Sequence, residues 1–448
     1  MTSRRGFLKE CAALAGAGLV FAPGLVRRGG AAASAGSELF EPGGEEIGKP
    51  LSPWRPGTME FHHIYTGHGE SIFHIFPDGT SMLIDSGQIE RIGYELKCVT
   101  LPDESRGPGE NIARYIQRVN PRGSEVDYMM ISHFHSDHMG TCRIHRGKTE
   151  GRGEDYYLSG MSQTGEWIRF RKGFDRGFPD YSLPFPVKDP DTENYRRFTR
   201  WKMKTDGLEM EPFEVGRLDQ IALLHEPETY RGAFHIRNLC GNGILWTGRE
   251  GENDTSFFDW AKEKGAASEN PLSLGLRIDY GPFRCYTAGD FNESFTGLDG
   301  KKRNLEAMIA PVCGRVDVCK SNHHSYLGSM VPEFVGVLKP RIFVTDVWDY
   351  HHIQASTMET MTDRGLYPGD RLVCPTNFHY FKREEYRGAP WRGDVYDEGG
   401  HVVIRVFEGG TRFAVYYLTA HDESMNVKAA FGPFETSPKE DSGAAALA

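Results

Sequence analysis

Val126-Asp127-Tyr128-Met129-Met130-Ile131-Ser132-His133-Phe134-His135-Ser136-Asp137-His138 begins as a largely apolar run and ends with three imidazoles and a carboxylate inside six residues. The first half has the length and composition of a buried strand. In an extended turn after that strand, His133 and His135 point the same way and can share one cation, while Asp137 and His138 are carried round the bend toward a second. Neutral imidazole and carboxylate suit Zn, and also Mn or Fe as the oxygen share rises. The competing interpretation is a solvated histidine-rich loop. A strand before the motif and a helix-like stretch after Gly140 favour the metal loop.

Working outward, short β-prone runs between Met59 and Ile84 predict a strand meander, and Glu110 to Val119 has helical spacing. Further on, Leu274 to Tyr280, a Gly281-Pro282 turn and Phe283 to Ala288 predict a hairpin ending at Asp290. Val316 to Lys320 leads in the same way into Asn322-His323-His324-Ser325. Val331 to Leu338 reads as a helix and Ile342 to Val347 as a strand. A last hairpin turns at Glu408-Gly409-Gly410-Thr411. The stretch 141–270 breaks this alternation but is rich in aromatics (Tyr156, Tyr157, Trp167, Phe170, Phe174, Tyr181, Phe185, Tyr195, Phe198 and Trp201), which predicts an ordered lid or insertion. These rings either form the insertion's own core or stack on substrate.

The His-x-His-x-Asp-His loop resembles the metallo-β-lactamase superfamily. The resemblance extends to Asp85 at the end of Met82-Leu83-Ile84-Asp85, to Gly289-Asp290 and to the His323-His324 pair. Thr66-Gly67-His68-Gly69-Glu70-Ser71-Ile72, Pro77-Asp78-Gly79 and Ser273-Leu274-Gly275-Leu276-Arg277 are similar, in the same order, to the metallo-hydrolase domain of competence-type DNA-uptake channel proteins. Two positions depart from that subgroup: His68 stands where Gln is usual, and Ser325 where Gly is usual. The loop and double histidine also resemble phosphorylcholine esterases of the same superfamily.

The resemblance implies an α/β fold, an αββα sandwich of two mixed β-sheets flanked by helices. It implies two divalent metal ions, Zn or alternatively Mn or Fe, held by His133, His135, Asp137, His138, Asp290 and His324. Asp290 bridges the ions, Asp85 braces the loop and His323 lies beside the substrate. Asp137, His323 and Asp85 form the implied catalytic set. The third histidine of the first ion has only His225 and His235 as candidates, or none, since a lone histidine in an apolar stretch is commonly a hydrogen-bonded core residue. His351-His352 would reach the same edge as substrate contacts or have no role there. The implied activity is metal-dependent hydrolysis of a phosphodiester, in a small molecule or a cell-envelope polymer. The alternatives are a lactone or β-lactam hydrolase, and a non-catalytic periplasmic metal-binding protein.

Ser3-Arg4-Arg5-Gly6-Phe7-Leu8-Lys9, a weakly apolar run from Cys11 to Val26 and Ala33-Ser34-Ala35 have the order of a twin-arginine export signal. The expected organisation is a signal over 1–35, a linker over 36–58, a hydrolase domain over 59–434 and a loose tail over 435–448. The export machinery is then a partner, the location is periplasmic or secreted, and no later segment is apolar enough to span a membrane. The chain of 448 residues carries 52 basic and 62 acidic residues, a formal charge of −10. Removing the five basic residues and one acidic residue of 1–35 leaves −14. Such a chain lacks the basic stripe that neutralises a nucleic-acid backbone, which disfavours nucleic acid as a partner. Of eight cysteines, Cys11 falls in the signal, and Cys142 is either a ligand or apolar packing.

Overall fold

A computed structural model describes residues 45–89, 99–145, 147–149, 154–265 and 268–438. The export-signal reading over 1–35 lies outside them, as does most of the tail. In chain order the strands are β1 (Met59–His63), β2 (Ile72–Ile75), β3 (Ser81–Ile84), β4 (Glu125–Met130), β5 (Arg169–Asp175), β6 (Glu209–Pro212), β7 (Phe234–Gly241), β8 (Ile244–Trp246) and β9 (Asn253–Asp254). They continue with β10 (Gly275–Tyr280), β11 (Phe283–Ala288), β12 (Ser294–Thr296), β13 (Lys302–Asn304), β14 (Val318–Lys320), β15 (Ile342–Thr345), β16 (Leu372–Pro375), β17 (His401–Val406), β18 (Arg412–Leu418) and β19 (Val427–Glu435).

They form an α/β architecture with two large mixed sheets. One has the order β19-β18-β17-β1-β2-β3-β4-β5-β6, and the other β16-β15-β14-β11-β10-β7-β8-β9. Both faces of the central strands are covered, so β3, β4 and β15 carry apolar residues on both sides. Along β4, Tyr128 and Met130 pack into the cluster shared with Ile236, Ile278, Val318 and Val344 of the second sheet. Val126 and Met129 of the same strand pack outward with Ile112 and Ile116 of the helix Pro108–Val119. The outer side of the second sheet is covered in the same way by the helices Ser256–Lys264, Leu305–Cys313, Pro332–Leu338 and Ala355–Thr362, through Phe257, Ile309, Phe334 and Met358.

Two organisational expectations change. The stretch 141–270 is not a separate lid: it adds β5 and β6 in parallel beyond β4, and β7 to β9 beyond β10. While Tyr157 and Trp167 are exposed, several of its rings are core, with Tyr156, Phe170, Tyr195 and Phe198 buried against the first sheet. An edge strand beside β4 needs a covered face, and these rings provide it. Residues 45–58 are likewise not a free linker. The buried Glu45 pairs with Arg405 on β17, and Gly48 N donates to Val427 O at 2.9 Å.

What positions the site is the parallel part of each sheet. β3, β4 and β5 run parallel, as do β11, β14 and β15, so their carboxyl ends emerge together. Loops beyond such ends are where α/β sheets place ligands.

Candidate metal centre

Each residue expected at the site follows one of these strand ends: Asp85 follows β3, His133 to His138 follow β4, Asp290 follows β11, and His323-His324 follow β14. The backbone leaves its ordinary range at several of these turns. Asp85 has φ 61°, and His323, His324 and Ser325 have φ 49°, 51° and 58°. Three successive non-glycine residues in the left-handed region are costly and persist only where the surroundings over-determine them. Here Asn322 Nδ2 donates to the buried Glu306, which also accepts from Met330 N and Val331 N and so holds the turn from behind.

The side chains converge in two overlapping groups that could hold a metal ion: Glu70, His138, Asp290 and His324, and His133, His135 and Asp290. Asp290 belongs to both. His138 Nε2 and His324 Nε2 each stand 3.3 Å from Asp290 Oδ1, and His324 Nε2 lies 3.2 Å from Asp137 Oδ2. His133 Nε2 lies 3.9 Å from Asp290 Oδ2 and 3.0 Å from His135 Nδ1. All six residues expected as ligands are therefore within one cluster, five of them buried.

A cation fits this donor set. His138 Nε2 and Asp290 Oδ1 are buried polar atoms without a hydrogen-bond partner, facing one another, and buried polar atoms are ordinarily satisfied. The titration pattern agrees. Burial works against ionisation of Asp137, yet His138 and the hydrogen bond from His324 outweigh it and hold its carboxyl well below the usual range. Asp290 is depressed similarly by His324 and His138 against its burial. Burial lowers His138 and His324, but Asp290 and its neighbouring carboxylates raise both above the ordinary imidazole value. Carboxylates that converge on imidazoles in this way also favour a cation among them, and metal binding releases any proton a ligand holds.

Asp85 is fully buried and supports the loop as expected. Its Oδ1 accepts from Ser132 N at 2.7 Å; its Oδ2 accepts from Ser132 Oγ at 2.6 Å and meets His138 Nδ1 at 2.7 Å. That contact orients His138 so that Nε2 faces the cluster.

The sequence did not identify the supports contributed by distant residues. Lys320 Nζ, buried, lies 2.7 Å from Glu70 Oε2 and donates to Ala288 O at 2.7 Å and Gly289 O at 3.0 Å, just before Asp290. Glu70 N donates to Asp137 O at 2.8 Å. One ion pair thus ties the loops carrying Asp137, Asp290 and His324. Glu70 stood in the quoted Gly67-His68-Gly69-Glu70 stretch, but nothing local revealed its partner. His324 Nδ1 donates to Asp346 O at 2.7 Å, and Asp346 in turn pairs with His63 at 2.9 Å.

Neither candidate for a third histidine is present. His225 Nε2 pairs with Asp127 at 3.1 Å near the start of β4, the opposite end from the metal loop. His235 sits on β7 opposite Asp279 of β10. The long interval containing both is spent on building sheet edges. Cys142 also belongs to neither group: its backbone N donates to Asp191 at 2.7 Å, and burial pushes its thiol up to about 12.

A cavity of about 440 Å³ opens over the cluster, lined by Asn270, His323, Tyr326, Trp348, Asp349, His351 and His352 together with four of the ligands. His352 is buried and stacks on His324, ring centroids 4.5 Å apart and planes 15° apart, and His351 is at the mouth. The aromatic rings of 141–270 do not line this cavity. His323 sits between two amides, with Asn270 Nδ2 3.2 Å from Nε2 and Asn292 Nδ2 3.0 Å from Nδ1. Burial keeps this imidazole below its ordinary value. A neutral ring donates from one nitrogen and accepts at the other, so one amide must present its oxygen.

Among the described residues, no helix is long and apolar enough to cross a membrane. Comparison with protein-family models and with curated proteins finds no match to this chain.

Proposed function

We propose that this protein is an exported hydrolase of the metallo-β-lactamase type that uses two divalent ions to cleave a phosphodiester. The observation that carries the reading is the convergence of His133, His135, Asp137, His138, Asp290 and His324 from three strand ends, with unpartnered His138 Nε2 and Asp290 Oδ1 facing each other at 3.3 Å beneath an open cavity. The two-sheet architecture with helices outside supports the superfamily assignment, and the twin-arginine pattern at Arg4-Arg5 supports export.

In this reading His133 and His135 hold one ion; Asp137, His138 and His324 hold the other; Asp290 serves both. Such ions supply Lewis acidity toward the ester and acidify water. The chain's own residues do the rest. Asp85 keeps the His138 proton on Nδ1, Glu70 and Lys320 fix the spacing of three loops, and the stacked His352 walls off one face of His324. His323 stays neutral and offers a polar nitrogen to the substrate when Asn270 exchanges its hydrogen bond.

The deciding experiment is elemental analysis of protein purified without chelator, followed by assays of bis(p-nitrophenyl) phosphate, a lactone and a β-lactam on the same sample and on Asp290→Ala. Close to two metals per chain and diester turnover that Asp290→Ala abolishes are expected. Turnover confined to the lactone or β-lactam would transfer the assignment to acyl chemistry. Metal without turnover of any of the three would leave a binding protein.

A further inference from the structure

From the mouth of the cavity a second feature leads away over the surface. Asp349 and His351 line the cavity, and between them Tyr350 projects its ring onto His351, centroids 3.8 Å apart. Tyr350 also meets His379 at 6.1 Å and Phe381 at 6.5 Å. His379, Tyr380 and Phe381 form a compact trio: His379 and Phe381 are stacked at 5.3 Å with 23° between planes, and Tyr380 lies 3.9 Å from Phe381. His379 caps the short helix Tyr380–Glu385, its Nδ1 accepting from Phe381 N at 3.4 Å, so the trio stands on a defined turn. Tyr380 is 59% exposed and Phe381 40%.

Large aromatic rings exposed side by side mark binding surfaces. The composition of this one selects its occupant. Every member is a ring with no aliphatic side chain among them, which fits a flat ligand better than an acyl chain. The neighbouring cations are already engaged: Lys382 pairs with Glu385, Arg387 with Glu384, and Arg383 donates to Phe378 O. With the chain at a formal −10, this leaves little to neutralise a nucleic-acid backbone. A pyranose ring satisfies both conditions. It presents an apolar C–H face to an aromatic plane while its hydroxyls meet tyrosine and imidazole edges.

We propose that Tyr350, His379, Tyr380 and Phe381 form a carbohydrate subsite continuous with the metal cavity, so that the substrate is a phosphodiester within a sugar-containing polymer. This inference rests on the phosphodiesterase reading and extends it from a bond type to a substrate class.

The test measures binding, so that it stands apart from turnover. Affinity electrophoresis would use Asp290→Ala protein, in which the shared carboxylate is gone, with a neutral oligosaccharide carrying a single hexosyl phosphodiester as the probe. The competitors are its dephosphorylated oligosaccharide, single-stranded DNA, and phosphatidylglycerol vesicles. Retention by the singly phosphorylated oligosaccharide, weakened about tenfold in Asp290→Ala protein that also carries Tyr380→Ala or Phe381→Ala, is the expected result. Competition by the free oligosaccharide should be seen as well. Equal retention with and without the two rings would overturn the proposal, as would preferential binding of DNA or vesicles. If wild-type protein cleaves no diester yet the ring-dependent binding holds, the hydrolase reading fails and the subsite stands.

Discussion

Asp85→Asn is the sharpest probe of the cluster, because it removes one charge and one acceptor with almost no change of shape. Asp85 is buried with φ 61°, a conformation asparagine tolerates better than most residues, so the backbone has no reason to move. The amide oxygen can still accept from Ser132 N. Its nitrogen, however, cannot accept from Ser132 Oγ or from His138 Nδ1, which lie 2.6 Å and 2.7 Å from the present Oδ2. His138 then shifts its proton to Nε2, the atom that faces Asp290 Oδ1 at 3.3 Å, and loses the lone pair a cation needs. Loss of such an orienting contact lowers metal affinity about 10- to 100-fold, or roughly 1.4–2.8 kcal/mol. Competition against a chromophoric chelator gives the affinity, nitrogen-15 NMR of the histidines gives the tautomer, and urea unfolding of metal-free protein separates fold from site. Unchanged affinity with His138 still protonated on Nδ1 would refute the orienting role of Asp85.

His324→Ala should lower both metal occupancy and turnover, whereas His323→Ala should lower turnover with metal retained; elemental analysis of both variants reads the difference. Lys320→Met leaves Glu70 buried and unpaired, so it should destabilise the metal-free protein by about 3–5 kcal/mol in urea unfolding, and adding Glu70→Gln should recover much of that loss. Burial pushes Glu306 up to about 7 from an ordinary 4.5 despite its three hydrogen-bond donors. The folded state therefore holds a proton that the unfolded state has released between those values. Its contribution falls as pH rises from 4.5 through 7, by about 3 kcal/mol in total, and a Glu306→Gln protein should lack that slope in its stability profile. Arg4→Lys with Arg5→Lys keeps the charge but removes the guanidinium pair, and cell fractionation should find the precursor retained in the cytoplasm.

Much of the fold was legible because the signals are local. The apolar run of β4, the Gly281-Pro282 turn between β10 and β11 and the helical spacing of 110–119 all depend on neighbours within a few residues. The grouping of His133, His135, Asp137 and His138 is local too, since six residues after a strand have few ways to turn. Asp85, Asp290 and His324 are assigned by the resemblance of their motifs, and in the fold each follows a strand whose carboxyl end lies at the site.

What the sequence determined, then, was the set of candidate ligands and the strand ends that carry them. Tertiary structure alone decided how distant chemistry meets there. Lys320 and Glu70, His63 and Asp346, and the Asn270 and Asn292 amides around His323 are joined across long intervals, 283 residues for His63 and Asp346. Only the register of two sheets and their packing against each other sets such pairs. The same cause removed His225 and His235 from the site: a histidine's identity is written in the chain, but which end of a strand it reaches depends on how sheet edges are added. It also set the rings at the cavity: Tyr326 and Trp348 line it, whereas rings of 141–270 such as Tyr156, Phe170 and Phe198 bury the first sheet's outer face. Burial consumes rings wherever a sheet face needs cover, and only the folded packing shows which remain exposed.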